Sequence, residues 1–152
     1  MGRKLIIAAW IAVLVGGCVW SKEQAARRAA RRFAERVEDA DQLRIRNIAE
    51  KTLCELSGKK RVSDFATRLE FSELKGQCEC SGGLFLELSR AGKSLLAMSY
   101  HHGTHLRCPE CWKNDAYLSE GSRDWLVNWL AERGIAGPKR EVESAKRRLR
   151  RW

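Results

Sequence analysis

The spacing of apolar residues divides the start of the chain into an uncharged run, residues 5–20, and a basic helix. Ser21 and Gln24 match a helix-capping pattern, so the helix is expected to begin there. Its apolar residues recur at helical spacing on one narrow face: Ala26, Ala30, Phe33 and Val37. Because arginines cover the remaining surface, we expect residues 21–40 to form a basic helical stalk rather than a core helix.

A second helix and then a strand are expected between residues 41 and 72. Six residues have the spacing of an apolar helix face: Ile45, Ile48, Ala49, Thr52, Leu53 and Leu56. Gly58 is typical of a helix end. On such a helix Cys54 lies on the polar side, as a partly exposed thiol or one joined to a neighbouring group. From Phe65 to Ser72 the apolar period changes to two, which predicts a half-buried strand.

The centre of the chain has the pattern of a β-hairpin. Apolar residues alternate over residues 84–89 and again over residues 94–102, on either side of a turn at Ala91 and Gly92. A further short strand is expected over residues 106–108. These segments, with the strand before them, predict an antiparallel sheet of three to four strands flanked by helices, which is an α+β fold.

Pairing in this hairpin also predicts where two cysteines lie. If the ladder is centred on the turn and extended backwards, Cys80 lies opposite Gly103 and Cys78 opposite His105. Both thiols then share one face of an extended segment, because side chains two residues apart in a strand point the same way.

Four cysteines are therefore expected at one end of the sheet: Cys78, Cys80, Cys108 and Cys111. The last two lie on a Cys-Pro-Glu-Cys turn, which can present two thiolates to one ion. The set fits a closed structural Zn²⁺ site, or two disulfides. A redox-active Cys108–Cys111 pair is the third interpretation, but no clear helix follows it to lower a thiol pKa. Cytoplasmic placement favours zinc and export favours disulfides.

Three histidines lie close to these cysteines in the sequence and are possible additional ligands. His101 and His102 point to opposite faces of a regular strand, so both reach one site only if Gly103 introduces a bulge. His105 follows two residues later. One of them could also serve as a base in a hydrolytic site, but no serine or carboxylate is placed by spacing to complete a triad, and no catalytic residue is assigned.

Two helices are expected at the end of the chain. Ser119 caps the first, and its apolar stripe predicts packing on the inner face of the sheet: Trp125, Leu126, Trp129 and Leu130. That helix ends at Gly134. A basic segment, residues 137–152, forms the second, with an apolar seam of Val142, Ala145, Leu149 and Trp152. It is either a helix that lies on a membrane surface or a solvated tail.

The formal net charge of +10 is concentrated at the two ends of the chain. Residues 1–37 carry +6 and residues 139–152 carry +5, whereas residues 38–138 carry −1. A neutral central domain has no basic face with which to read bases, so specific nucleic-acid binding is not expected. The basic ends favour contact with anionic lipid headgroups instead.

The first eighteen residues resemble a bacterial lipoprotein signal. Arg3 and Lys4 precede the apolar run, which ends in Val15-Gly16-Gly17-Cys18, a sequence similar to a lipobox. The resemblance implies removal of a signal peptide and lipidation of Cys18, hence an extracytoplasmic lipoprotein. The alternative is a short uncleaved membrane anchor with a cytoplasmic domain, because more basic residues follow the run than precede it.

A second resemblance covers roughly residues 78–134. Ser99-Tyr100-His101-His102-Gly103, Leu106-Arg107 and the later Trp129-Leu130-Ala131-Glu132-Arg133-Gly134 look like a group of small uncharacterised bacterial domains. No activity can be attached to that group, so the resemblance implies no functional residue.

Together these patterns predict four parts: a signal peptide or anchor (residues 1–20), the stalk (21–40), an α+β domain with the cysteine cluster (41–136) and a basic C-terminal helix or tail (137–152). We expect a membrane-tethered, non-enzymatic binding or scaffolding module with an unknown protein partner. A thiol-redox or metal-dependent enzyme that uses Cys108, Cys111 and the histidines is the alternative.

Overall fold

A seven-stranded antiparallel sheet runs through the computed structural model, which describes residues 23–150. The strands are β1 (Gln42–Asn47), β2 (Thr52–Ser57), β3 (Phe71–Lys75), β4 (Leu84–Arg90), β5 (Lys93–His101), β6 (His105–Arg107) and β7 (Asp115–Leu118). Within the described part, the helices are α1 (residues 23–37), α2 (Lys59–Ala66), α3 (Glu120–Ala131) and α4 (Gly137–Leu149). The strand order is β2-β1-β4-β5-β6-β7-β3. The α+β class is confirmed, and the sheet is larger than the three to four strands expected.

The helix expected from Ile45 to Gly58 is wrong, because this segment forms the β1–β2 hairpin. Leu43 and Ile45 are fully buried and pair with β4, so the buried apolar residues of β1 follow a period of two. Ile48 matched a helical period but lies in the turn and is 68% exposed. Cys54 is half-buried in β2, opposite Ile45.

The strand expected from Phe65 to Ser72 is also displaced. Phe65 belongs to the last turn of α2, whose buried residues Val62, Phe65 and Ala66 follow the helical period. The strand of this region, β3, begins only at Phe71 and pairs with β7 at the edge of the sheet. Phe65 and Phe71, which were expected in one strand, therefore belong to two different elements.

The basic helix α1 packs on the core instead of projecting as a stalk. Its buried face consists of Ala26, Ala29, Phe33 and Val37, each at most 5% exposed. The small alanines allow the helix to approach closely, and the Phe33 ring meets the Phe71 ring edge to face at 6.0 Å between centroids. The arginines on the opposite side stay in solvent, where Arg27 and Arg31 pair with glutamates one turn away. The face that appeared too narrow for a core helix is thus sufficient for one.

The β4–β5 hairpin is confirmed, with one change of register. Arg90 pairs with Lys93 as expected, but a bulge between Leu88 and Ser89 shifts the ladder by one residue, and Leu84 pairs with Tyr100. The ladder ends there. The expected pairing of Cys78 and Cys80 with the following turn is therefore not formed, and both cysteines lie in the irregular loop between β3 and β4.

Helix α3 packs against β7, and α4 packs against α3. Ser119 caps α3 as expected, accepting a hydrogen bond from Ser122 N. Leu126 and Leu130 of its stripe are fully buried, while Trp125 and Trp129 are half-buried and pack on Phe65. Among residues 23–150, no helix combines the length and apolar character that a membrane crossing requires. The uncharged run with Cys18, and the final Trp152, lie outside the described residues.

Candidate metal centre

Two segments meet at one end of the sheet and bring two thiols against two imidazoles. Cys78 and Cys80 come from the β3–β4 loop, and His101 and His102 from the end of β5 and the turn after it. The Cys80 Sγ lies 3.0 Å from His101 Nδ1 and 3.2 Å from His102 Nε2. The Cys78 Sγ lies 3.3 Å from the same His101 Nδ1. Sulfur and imidazole nitrogen are both good ligands for zinc.

The β5–β6 turn explains how two adjacent histidines reach one site. His102 and Gly103 both have positive φ angles, 53° and 68°, so the chain reverses directly after His101. A Cβ atom on Gly103 would lie 2.6 Å from Val142 Cγ2 and 2.8 Å from the Pro138 carbonyl oxygen of α4. Gly103 was expected to introduce a bulge. It instead forms part of a tight turn, and α4 packs against this turn.

His101 is oriented for binding by a neighbour on its own strand. It is fully buried, and its Nε2 lies 2.7 Å from Ser99 Oγ. If Nε2 carries the proton and donates it to Ser99, the lone pair of Nδ1 faces the two sulfurs. Burial, together with the nearby Arg107 charge, lowers the pKa of His101, which favours the neutral form that binds metals.

A buried ion pair holds the backbone of the cysteine loop. Arg107 donates from Nε and Nη2 to the fully buried carboxylate of Asp115, at 2.7 and 3.0 Å. The same guanidinium donates to the carbonyl oxygens of Cys78 and Cys80, at 2.7 and 3.2 Å. Asp115 in turn accepts from the Cys78 N–H at 2.8 Å. Burial acts to raise the pKa of Asp115, but these hydrogen bonds outweigh it and hold the pKa below its usual value.

His105 lies beside this centre as a stacked, neutral ring. It packs between His101 and Tyr117, with ring centroids 5.2 and 4.5 Å away. Its Nδ1 is 2.9 Å from Thr104 Oγ1, and its Nε2 is 3.3 Å from the Asp115 carboxylate without being aligned for a hydrogen bond. Burial lowers the pKa of His105 to about 4 despite that carboxylate. Its ring nitrogen also lies within ligand range of Cys78 and His101.

The expected convergence of four sulfurs is wrong, because Cys108 and Cys111 lie elsewhere. Side chains alternate along β6, so His105 and Arg107 face the centre, whereas Leu106 and Cys108 face the core and are fully buried. Among residues 23–150, neither Cys108 nor Cys111 belongs to a group of ligand atoms that could share an ion. The polar face of the sheet and its apolar face thus divide the cysteines into two pairs.

The five polar residues of the centre form two overlapping sets of three that are positioned to hold a metal ion: Cys78, Cys80 and His102, and Cys78, His101 and His105. The two sulfurs are 2.8 Å apart, longer than the roughly 2.05 Å of a disulfide and shorter than the roughly 3.8 Å that two thiolates adopt around zinc. Zinc binding therefore requires these thiols to separate by about 1 Å. Both cysteines are half-buried in a loop, where such movement is possible. Burial raises the pKa of Cys78, so a bound cation would displace a proton there.

Sequence reasoning did not identify Ser99, Arg107 or Asp115 as part of the centre. The signal was present in the period of two, because Ser99 and His101 share one face of β5, and His105 and Arg107 share one face of β6. Asp115 could not be placed, since its strand was not predicted. No family model, curated protein or solved structure gives a significant match to this chain.

Proposed function

We propose that this protein is a membrane-tethered, non-enzymatic module that binds one structural Zn²⁺ ion. The observation that supports the proposal is the convergence of two thiols and two imidazoles: Cys78, Cys80, His101 and His102. A set of two cysteines and two histidines fills the tetrahedral shell that zinc adopts in structural sites. Such a set leaves no position open for a substrate or an activated water molecule, and this argues against a hydrolytic metal site.

His102 is the preferred fourth ligand. Its Nε2 is directed at Cys80 Sγ, and its Nδ1 lies 3.8 Å from a carboxylate oxygen of Glu141 on α4. A carboxylate behind the distal nitrogen is a common arrangement for zinc-bound histidines. The Nδ1 of His105 is engaged by Thr104, and its Nε2 faces the Asp115 carboxylate at 3.3 Å, so we assign His105 a packing role.

Zinc in this position would add a link between the cysteine loop and the β5–β6 turn. The loop between β3 and β4 has no regular secondary structure, and the metal would fix it to the β5–β6 turn. Through His102 and Glu141 it would also stabilise the docking of α4 on that turn. The metal would thereby shape one end of the sheet as a rigid surface for a protein partner.

Zinc content of the purified full chain tests the metal proposal. Wild-type protein prepared without chelators should contain one zinc per chain, and Cys80→Ser should retain much less, because Cys80 contacts both histidines. Cys54→Ser is the matched control, since Cys54 is a half-buried cysteine on β2 outside the cluster. Wild-type protein free of zinc after incubation with a zinc salt, or equal retention in both variants, would contradict the proposal.

Membrane attachment is the second part of the proposal, and the lipobox-like sequence before Cys18 supports it. The basic residues of both ends would add attraction to anionic headgroups. Cys18→Ser should abolish acyl labelling and release the protein from the membrane fraction of a bacterial host. If labelling and attachment both persist in that variant, Cys18 is not the anchor, and a short uncleaved anchor explains the attachment instead.

A further inference from the structure

Cys108 and Cys111 form a second thiol pair that the metal centre does not use. Both are buried, at 0% and 2% exposed. They occupy a tight turn in which the backbone N–H groups of Cys111 and Trp112 both donate to the Cys108 carbonyl oxygen at 3.0 Å. The turn is closed by these hydrogen bonds, and it holds two buried thiols three residues apart.

The geometry of this turn suits a covalent bond between the two sulfurs. A turn closed by a hydrogen bond from residue i+3 to residue i brings their Cα atoms within about 7 Å. Disulfides span Cα separations of about 4.4–6.8 Å. Interaction with the neighbouring thiol lowers the pKa of Cys108 and raises that of Cys111. Cys108 is therefore the better nucleophile of the pair.

A second metal ion is a poor alternative at this position. Zinc needs four ligands, and within the described part of the chain no histidine, cysteine or carboxylate joins Cys108 and Cys111. The nearest acidic residue in sequence, Glu110, is half-exposed and lies 4.0 Å from Arg36 of α1. Two buried thiols with no third ligand are suited to a disulfide.

We propose that Cys108 and Cys111 close an intramolecular disulfide as the chain folds in the presence of a small disulfide or an oxidised dithiol. The Cys108 thiolate attacks one sulfur of that oxidant, forms a mixed disulfide and releases one thiolate. The Cys111 thiol then gives its proton to solvent and attacks the Cys108 sulfur, which releases the second thiolate. Two cysteine thiols are oxidised, and the oxidant is reduced to two thiols.

The position of α1 determines when the disulfide can form. Arg32 of α1 donates to the Cys111 carbonyl oxygen at 3.3 Å, and Arg36 pairs with Glu110, so the helix covers the turn. Exchange therefore takes place before α1 packs or when it opens. Once α1 is in place, the bond is protected from reductants in solution, since thiol exchange depends on access.

Peptide mapping of the full chain tests this proposal, because trypsin separates the Cys108–Cys111 pair from Cys54, Cys78 and Cys80. Cleavage after Arg107 and Lys113 gives a peptide of residues 108–113 that holds both members of the pair. Cys78 and Cys80 fall in residues 76–90, and Cys54 falls in residues 52–59. Full-length protein is unfolded, refolded with zinc in a glutathione and glutathione disulfide buffer, alkylated, digested and analysed by mass spectrometry.

The expected product is an unalkylated 108–113 peptide that is lighter by two hydrogen atoms, with Cys54 alkylated as an internal control. A 108–113 peptide recovered with both cysteines alkylated would overturn the proposal, and so would a cross-link to the 76–90 peptide. Oxidised protein should also be reduced by dithiothreitol about tenfold or more slowly in native buffer than in guanidinium. Equal rates would contradict the protection by α1. Neither result depends on whether the other pair binds zinc, because zinc content is measured separately.

Discussion

Arg107 links the buried Asp115 carboxylate to the backbone of the cysteine loop. Its side chain is 18% exposed, and its guanidinium donates to the fully buried Asp115 carboxylate and to two carbonyl oxygens of the cysteine loop. One side chain therefore neutralises a buried charge and holds the backbone that presents both thiols. A charge pair of this kind adds little net stability by itself, but removal of one partner leaves the other buried and unpaired.

Replacement of the Asp115 carboxylate tests this role. Asp115→Asn should lower the free energy of unfolding by about 3 kcal/mol, because it leaves the Arg107 charge without a counter-ion. Glu87→Gln is the control, since Glu87 pairs with Arg46 at 3.5 Å near the surface and its loss should cost less than about 1 kcal/mol. Urea unfolding of the metal-free proteins measures both. Equal losses would show that the Arg107–Asp115 pair has no special role.

Gly103 is the residue that lets α4 approach the ligand-bearing turn. Gly103→Ala introduces strain at a φ of 68° and a methyl group 2.8 Å from the Pro138 carbonyl oxygen. Gly92→Ala at a φ of 78° is the matched control, because its Cβ would meet no atom within 4 Å. The Gly103 variant should be less stable than the control variant by about 1–3 kcal/mol, the cost of overpacking. Thermal unfolding measures the difference, and equal midpoints would mean that α4 is not docked on the turn.

At the scale of elements, α1 decides where the domain begins. Its buried alanines and Phe33 make it a wall of the core, and Arg32 links it to the Cys108–Cys111 turn. A domain that begins at residue 41 would lack this wall and expose the apolar surface around Phe71.

Truncation of Phe33 tests the placement of α1. Phe33→Ala should lower the free energy of unfolding by about 3–4 kcal/mol, as for other buried aromatic residues. Arg31→Ala, on the exposed side of the same helix, should change it by no more than about 0.5 kcal/mol. Chemical denaturation of the two variants gives the comparison. A Phe33 variant as stable as the Arg31 variant would support a projecting stalk.

The outcome for each element shows what local patterns can and cannot predict. The β4–β5 hairpin and α3 were predictable because their apolar periods, turn and cap agree with one another. The β1–β2 hairpin was not, since Ile48 and Ala49 in its turn completed a helical spacing by coincidence. This segment forms strands because β1 pairs with β4, which is distant in the sequence. A local pattern of residues does not reveal such pairing.

Only part of the candidate site was predictable, because local pattern does not reveal long-range strand pairing. Local pattern indicated that Cys78, Cys80 and the histidines lie at the end of the hairpin, and these residues do converge. The inclusion of Cys108 and Cys111 failed because the face of β6 that each residue occupies depends on pairing with β5 and β7. Proximity along the sequence placed all four cysteines together, and the alternation of side chains separated them.

In the whole molecule, β6 lies between the candidate metal centre and the Cys108–Cys111 pair, which lie on opposite faces of one sheet. His105 and Arg107 face the candidate metal centre, while Leu106 and Cys108 face the core and the thiol pair. The first site joins the loop before β4 to the end of β5 and the turn after it, and the second lies within the single turn after β6. We propose that zinc fixes the loop before β4 and that a disulfide closes the turn after β6, in addition to the hydrophobic core.

The basic residues complete this arrangement from outside. The exposed side of α1 carries arginines, and α4 carries lysine and arginine along its exposed faces. Some of these charges are paired within the protein, such as Arg27 and Arg31 with glutamates and Arg36 with Glu110. The exposed basic side chains of both helices would attract an anionic membrane surface if the proposed attachment at Cys18 holds the protein there.

X-ray absorption at the zinc edge identifies the atoms that bind the ion. The zinc-loaded full chain should show two sulfur ligands at about 2.3 Å and two nitrogen ligands at about 2.0–2.1 Å. His102→Ala should reduce the nitrogen contribution, whereas His105→Ala should leave the ligand set unchanged. A shell of four sulfurs would restore the site of Cys78, Cys80, Cys108 and Cys111 and contradict the account. A shell of oxygen and nitrogen alone would show that the two thiols do not bind the metal.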